Sequence, residues 1–156
     1  MDSEVNLYLL RAEDEFLLSQ KDLQLSTDDK TKDFLGIPKD KTFYYSVISH
    51  AYYSIFYTAK AYLITKRIIT KAPEEHKKTY EEFRRLVSQG IVDKELLRLY
   101  EEVLIKAEKL LGIFKIEKKK RGEFTYQRIA QANLDPAKES LENAKTFLKH
   151  IYDLCV

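Results

Sequence analysis

The segment from Phe43 to Leu63, which reads FYYSVISHAYYSIFYTAKAYL, constrains the fold of this chain more than any other part of it. It contains six tyrosines and two phenylalanines, and it has no glycine, no proline and no Lys, Arg, Asp or Glu before Lys60. The residues that stop helices most strongly are therefore missing from it. We predict one long helix here, continuing to about Thr70.

Winding this segment at the helical period separates two faces. One face is apolar and consists of Tyr44, Ile48, Ala51, Tyr52, Ile55, Ala59 and Tyr62. The other face, the polar stripe, carries hydroxyl, imidazole and ammonium groups and consists of Ser46, Ser49, His50, Tyr53, Tyr57 and Lys60. A helix with these two faces is either the centre of a helical bundle or one wall of a binding site.

The N-terminal residues predict an amphipathic helix from about Ser3 to Leu25, capped by Ser3. Its apolar face is interrupted only by Asp14 and consists of Leu7, Leu10, Leu17 and Leu18. Glu13 and Glu15 are expected to face solvent. The polar stretch 26–40 contains a glycine and a proline, so we predict that it is a connecting loop.

Three more helices are expected in the second half of the chain. One spans about Glu74 to Ser88, with a proline in its first turn and Gly90 as its terminator. The next is capped by Asp93 and weakens or ends at Gly112, and the last begins at 135–136, Asp-Pro. No strand-like alternation persists anywhere. The chain is therefore predicted to be all-α, a single domain over 1–156 built as an up-down bundle of four to five antiparallel helices.

Composition excludes several classes of protein. With 44% hydrophobic and 33% charged residues, the chain is neither wholly disordered nor a membrane protein. The N-terminus is acidic where a signal peptide is basic, and no apolar run approaches the ~20 residues that cross a bilayer, so we expect a cytoplasmic protein without a membrane partner. Cys155 is the only cysteine, which leaves no intramolecular disulfide. Abundant Lys and Glu with few Asn, Met and Cys are typical of a thermophile.

Several chemistries lack their motifs in this sequence. The four glycines form no phosphate-binding loop, and no serine or cysteine nucleophile motif is present. No two histidines are spaced i, i+4, and no Glu-x-x-His pairs occur, so a metal site is not predicted. We therefore assign no catalytic residue, no metal ligand and no cofactor from the sequence.

The positive charge of the chain is concentrated between residues 115 and 128, in KIEKKKRGEFTYQR. This basic segment holds six basic and two acidic residues, a net charge of +4, whereas the whole chain carries only +2. Cations beside aromatic residues are typical of surfaces that bind nucleic-acid or nucleotide phosphates. The candidate phosphate-binding residues are Lys118, Lys119, Lys120, Arg121 and Arg128. The alternative is a solvated loop whose lysines keep the protein soluble.

A second group of candidates consists of polar and aromatic residues that can line a binding site. Imidazole, phenol and ammonium groups along one stripe can hold a phosphate or stack on a base. His76 lies near a helix N-terminus, where exposed amides favour anions. The candidate wall residues are His50, Tyr53, Tyr57, Lys60, His76 and Tyr126. The alternative is that the polar tips of the stripe hydrogen-bond to neighbouring helices of the bundle.

Four motifs in this order resemble HEPN domains. Residues 49–61, SHAYYSIFYTAKA, resemble the signature helix of that family, where an AYYA-x-F-x-A-A-x-A-like string recurs. Residues 76–78, His-Lys-Lys, with Phe83 after them, are similar to the family's THK segment. Residues 121–124 resemble its R-x-D-Y stretch, and residues 144–151 resemble its closing helix.

This resemblance implies a compact bundle of four or five helices, commonly a homodimer. It also implies nucleotide binding, RNA cleavage or pairing with a minimal nucleotidyltransferase, as toxin and antitoxin or as an unassigned pair. RNA-cleaving members use an Arg followed four to six residues later by His. No Arg stands at that distance before His50, His76 or His150.

We therefore expect a non-catalytic module that binds a nucleotide or a partner nucleotidyltransferase. Two alternatives stay open. One is an RNA endonuclease with an atypical site that combines Arg121 or Arg128 with His50 or His76. The other is a purely structural helical dimerisation module.

Overall fold

The computed structural model describes residues 2–112 and 133–156. Within these ranges there are six helices and no strands, which confirms the all-α prediction. The helices are α1 (Ser3–Thr27), α2 (Asp29–Leu35), α3 (Tyr44–Thr65), α4 (Glu75–Ser88), α5 (Lys94–Leu111) and α6 (Leu134–Cys155). The basic segment 115–128 lies outside the described residues, and so do Lys118, Lys119, Lys120, Arg121, Tyr126 and Arg128.

The tyrosine-rich helix α3 is the centre of the bundle. It packs against α1, α4, α5 and α6, and thirteen of its 22 residues are buried. Its apolar face joins an aromatic core in which Tyr62, Phe83, Tyr100 and Phe147 are in ring contact. The main role of this helix is therefore structural, because it forms the buried centre of the bundle.

Helix α3 ends at Thr65, several residues before the predicted end near Thr70. Arg67 adopts a left-handed backbone conformation with φ 61°, and the amide of Ile68 donates to the carbonyl of Leu63 at 2.9 Å. A helix end with a left-handed residue normally has glycine at that position, since a Cβ atom disfavours positive φ. The helix end was missed because arginine gives no such signal.

The face of α1 that packs on α3 is different from the leucine face that the sequence suggested. The four leucines of that face are between 46% and 54% exposed, whereas Val5, Leu9 and Ala12 are buried. Small residues let the two helices approach closely. Ser19 donates to the carbonyl of Val47 at 2.7 Å, which uses a hydroxyl that the apolar pattern ignores.

The predicted loop 26–40 contains the short helix α2. Asp28 caps this helix by accepting the amide of Thr31, and Gly36 ends it in a left-handed conformation with φ 72°. Lys32 is buried and its ammonium donates to the carbonyl of Lys39 at 2.6 Å. The capping residues were present in the sequence, but seven residues are too few for a visible apolar period.

The predicted signals mark both ends of α5, but the predicted caps of the first and last helices were wrong. Asp2 instead of Ser3 caps α1 by accepting the amide of Glu4 at 2.7 Å, and α6 begins at Leu134 with Asn133 at its N-cap position. Asp93 caps α5 by accepting the amide of Glu95 at 2.8 Å, and Gly112 ends that helix at φ 61°. The terminal turn of α4 stops just before Gly90. Helix α4 begins at Glu75, so Pro73 precedes the helix instead of lying in its first turn.

Candidate functional site

Helices α1 and α3 run antiparallel, and the polar stripe of α3 faces α1. Ser46 donates to Asp22 at 2.5 Å, and Ser54, two turns later, donates to the carbonyl of Ala12 at 2.9 Å. Residues later in α3 therefore pair with residues earlier in α1, as antiparallel helices require. Part of the polar stripe is therefore used to join the two helices.

His50 belongs to this helix–helix junction. Its Nδ1 lies 2.5 Å from a carboxylate oxygen of Glu15, and its Nε2 lies 3.7 Å from Asp22. Both ring nitrogens thus face acidic side chains of α1. The prediction that Glu15 faces solvent was wrong, because the antiparallel pairing with α3 places it opposite His50. His50 is a linking residue between helices rather than part of an open wall.

Beyond His50, aromatic side chains form one connected group where α1, α3 and α4 meet. We call it the ring cluster, and it consists of Tyr8, Tyr53, Phe56, Tyr57 and His76. The stacked pairs are Tyr8–Tyr57, with ring centroids 6.0 Å apart, and Tyr53–Tyr57, at 6.4 Å. All members except Phe56 are partly exposed, so part of each of these side chains is in contact with solvent.

His76 joins α4 to this cluster. Its ring stacks on Phe56 with centroids 4.0 Å apart, and its Nδ1 lies 2.9 Å from the hydroxyl of Tyr52. Burial lowers the pKa of His76 below its ordinary value, Glu75 opposes that shift, and the Lys60 ammonium adds to it. The imidazole is therefore neutral at pH 7 and presents one donor and one acceptor nitrogen.

Two cations flank the ring cluster in different ways. The guanidinium of Arg11 is exposed and lies 4.9 Å from the ring centroid of Tyr57, a cation–π arrangement. The ammonium of Lys60 lies 4.8 Å from the ring of Tyr8, but it is only 5% exposed and forms an ion pair with Glu75. Arg11 is in none of the ion pairs between described residues, so it is the cation more available to an anionic ligand.

A cavity of about 270 Å³ opens beside the cluster, just below the ~300–1,000 Å³ range of ligand pockets. Tyr8, Lys60 and Glu75 line its polar side, and Ile64 and Ile68 line its apolar side. The ammonium of Lys60 also donates a hydrogen bond, at 3.2 Å, to the backbone carbonyl of a residue that lines the cavity. The ring cluster thus borders a recess with both polar and apolar surface.

The structure brings together four of the predicted wall residues, namely Tyr53, Tyr57, Lys60 and His76. His50 lies apart from them in the α1–α3 junction, and Tyr126 lies outside the described residues. Tyr8, Arg11 and Phe56 were missed. Phe56 falls between the two faces of α3, and the other two were only identifiable once α1 was known to pair antiparallel with α3.

The described residues thus form an all-α bundle with an aromatic cluster at its surface and, beside it, a small cavity that Tyr8 and Lys60 line. No family model, curated protein or solved structure matches the chain. Over residues 2–112 and 133–156, no group of three or more His, Cys, Asp or Glu is arranged to hold a metal ion. None of the helices in these ranges combines the length and apolar character that a membrane span requires.

Proposed function

We propose that this protein is a non-catalytic binding module of the HEPN type, and that it binds a nucleotide by stacking the base on the ring cluster. The observation that carries the proposal is the connected set of partly exposed rings of Tyr8, Tyr53, Tyr57 and His76, with Arg11 over one of them. The resemblance of the α3 sequence to the HEPN signature helix supports the same class.

The chemistry of the ring cluster suits a nucleobase. Stacking of a base on an aromatic side chain contributes roughly 1–3 kcal/mol and tolerates any base, because every base has a π-face. Neutral His76 adds a hydrogen-bonding edge, and the planar guanidinium of Arg11 fits a phosphate in a bidentate manner. Arg121 and its neighbouring lysines, outside the described residues, are proposed as further phosphate contacts.

Binding is favoured over catalysis because most of the candidate acid–base groups already have partners. His50 has a carboxylate at each ring nitrogen, and Lys60 is paired with Glu75. Groups with such partners are suited to holding the helices in place. They are poorly placed to exchange protons with a substrate.

One observation favours RNA cleavage as the second candidate function. The burial of His76 favours its neutral form, and in the tautomer whose Nδ1–H donates to the hydroxyl of Tyr52, the Nε2, which no described residue hydrogen-bonds, is able to accept a proton. The reaction also needs a cation, for which Arg121 is proposed. Incubation of structured RNA with the protein and with an Arg121→Ala variant tests this function. Equal background cleavage by both would exclude it.

Calorimetric titration of ATP and of GTP at low ionic strength tests the nucleotide proposal. We expect binding that weakens as salt rises, because phosphate contacts are screened. Tyr57→Ala should weaken binding about 5- to 150-fold, the equivalent of the roughly 1–3 kcal/mol lost with one stacking surface. Tyr57→Phe keeps the ring and should keep the affinity.

Tyr45→Ala is the matched control, since Tyr45 is an exposed tyrosine of α3 outside the ring cluster. The absence of heat with either nucleotide would reject the nucleotide proposal. If purified minimal nucleotidyltransferase then bound instead, the face would be a protein-binding surface, the other possibility that the HEPN resemblance implies.

A further inference from the structure

The cavity beside the ring cluster has features that base stacking does not use. Of the ring cluster, only Tyr8 lines it. Three parts of the chain enclose it, namely the first turns of α1, the C-terminal part of α3 and the segment 68–72 that leads toward α4. Its volume of about 270 Å³ lies just below the range of pockets that hold drug-sized ligands, so it suits a smaller molecule.

The charged groups that line the cavity are balanced. Glu4 and Glu75 supply two carboxylates, and Lys60 and Lys71 supply two ammonium groups. Lys60 pairs with Glu75, whereas Glu4 and Lys71 are in none of the ion pairs between described residues. Carboxylates and ammonium groups in equal number are complementary to a ligand that carries both charges, more than to one that carries a single charge.

Lys60 is the buried anchor among these groups. Its ammonium donates to the carbonyl of Thr70 at 3.2 Å and to one carboxylate oxygen of Glu75. An ammonium has three N–H donors, and no third described acceptor bonds this one, so a ligand carboxylate can accept from it. The second oxygen of Glu75 has no donor among the described residues, and neither has the carboxylate of Glu4. A ligand ammonium can therefore donate to both of these residues.

The rest of the wall is aliphatic. Arg67, with its left-handed backbone, reverses the chain after α3, and the amide of Ile68 bonds to the carbonyl of Leu63. This turn brings Ile68 and Ile69 beside the cavity that Ile64 also lines. Ile69 remains 59% exposed. An aliphatic group of a ligand would cover apolar surface that the described helices leave in water, which favours binding.

We infer that this cavity binds an aliphatic α-amino acid. The carboxylate of the ligand accepts from Lys60, its ammonium donates to Glu4 and Glu75, and its side chain lies on the isoleucines of the wall. Leucine combines these three groups in one small molecule. The inference does not depend on the proposed nucleotide binding, because every residue that holds the ligand lies outside the ring cluster.

Calorimetric titration with L-leucine tests the inference. Isocaproate has the same carboxylate and branched chain but no amino group, isoamylamine has the same amino group and chain but no carboxylate, and glycine has both charges but no chain. Leucine is expected to bind, and each of the other three should bind about tenfold more weakly or worse, because each lacks one set of contacts. The absence of heat with millimolar leucine, or an analogue that binds as tightly as leucine, would overturn the inference.

Substitutions locate the site. Glu4→Gln should weaken leucine binding about tenfold and leave isocaproate binding unchanged, because isocaproate has no ammonium. Glu13→Gln is the matched control, since Glu13 is also an exposed glutamate of α1 but does not line the cavity. Ile69→Ser should weaken the binding of both ligands, whereas Ile105→Ser, at a similarly exposed position of α5, should not.

All four substituted residues are exposed, so the variants should fold, and unchanged helical circular dichroism would confirm this. Methyl signals in nuclear magnetic resonance spectra give an independent location. Those of Ile64, Ile68 and Ile69 should shift as leucine is added, and those of Ile105 should not. Leucine binding that is insensitive to both Glu4→Gln and Ile69→Ser, or that leaves the three cavity isoleucines unshifted, would overturn the inference.

Discussion

The imidazole of His76 lies on the phenyl ring of Phe56, with centroids 4.0 Å apart and ring planes inclined by 23°. Phe56 belongs to the buried centre of α3, and His76 belongs to the first turn of α4. The pair therefore connects the core of the bundle to the partly exposed rings that we propose as a base-binding surface.

The burial of His76 predicts a pH dependence of stability. Because its pKa is lowered in the folded protein, the unfolded chain binds the proton more readily, and protonation favours unfolding. The contribution of neutral His76 to the free energy of unfolding is therefore fully present above the ordinary pKa of about 6.5 and is lost as the pH falls below that value. Urea unfolding at pH 7.5 and pH 5.5 should show a larger loss of stability for wild type than for His76→Asn. Equal losses would contradict the buried, neutral histidine.

Two tyrosines of the core should respond in opposite ways to the loss of their hydroxyl groups. The hydroxyl of Tyr100 is buried and has no hydrogen-bond partner among the described residues, so Tyr100→Phe should stabilise the protein by about 1 kcal/mol. The hydroxyl of Tyr52 is bonded to His76, so Tyr52→Phe should destabilise it by a similar amount. Thermal and urea unfolding measure both changes. Destabilisation by Tyr100→Phe would mean that its hydroxyl has a partner.

The junction between His50 and Glu15 should contribute to stability. Both side chains are less than one-third exposed, so Glu15→Gln should lower the free energy of unfolding by about 1 kcal/mol. Glu13→Gln is the matched control, because Glu13 is an exposed glutamate on the same helix and is in none of the ion pairs between described residues. Equal effects of the two substitutions in urea unfolding would show that the junction adds nothing.

The ion pair of Lys60 predicts a non-additive pair of substitutions. Glu75→Gln leaves a buried ammonium with a neutral partner and should lower the free energy of unfolding by about 1–3 kcal/mol. The partial exposure of Glu75 moderates this loss. Adding Lys60→Met removes that ammonium and should recover part of the loss. A double-mutant cycle by urea unfolding measures the coupling. Strict additivity would argue against the pair.

Much of the fold was predictable from the sequence because local signals and the tertiary structure agree. The uninterrupted apolar face of α3 identified the bundle centre, and Asp93 and Gly112 marked the ends of α5. The buried face of α1 was not predictable in the same way. Its exposed leucines are more hydrophobic than the Ala and Ser residues that contact α3, so hydrophobicity alone selected the wrong side.

The residues of the candidate site also differ in how far the sequence could predict them. Tyr53, Tyr57 and Lys60 share one stripe of a single helix, so helical periodicity brought them together. Tyr8 and Arg11 are about fifty residues away in the chain. Their place beside the stripe depends on which residues of α1 pair with α3, and no local pattern encodes that register.

Nuclear magnetic resonance of the aromatic side chains during titration with ATP tests the central claim most directly. We predict that ring signals of Tyr8, Tyr57 and His76 shift together and saturate at one dissociation constant, while those of buried Tyr100 stay unchanged. In the Tyr57→Ala protein, the signals of Tyr8 and His76 should shift less than in wild type at the same ATP concentration. Ring signals that do not shift, or shifts confined to residues away from the ring cluster, would contradict the account.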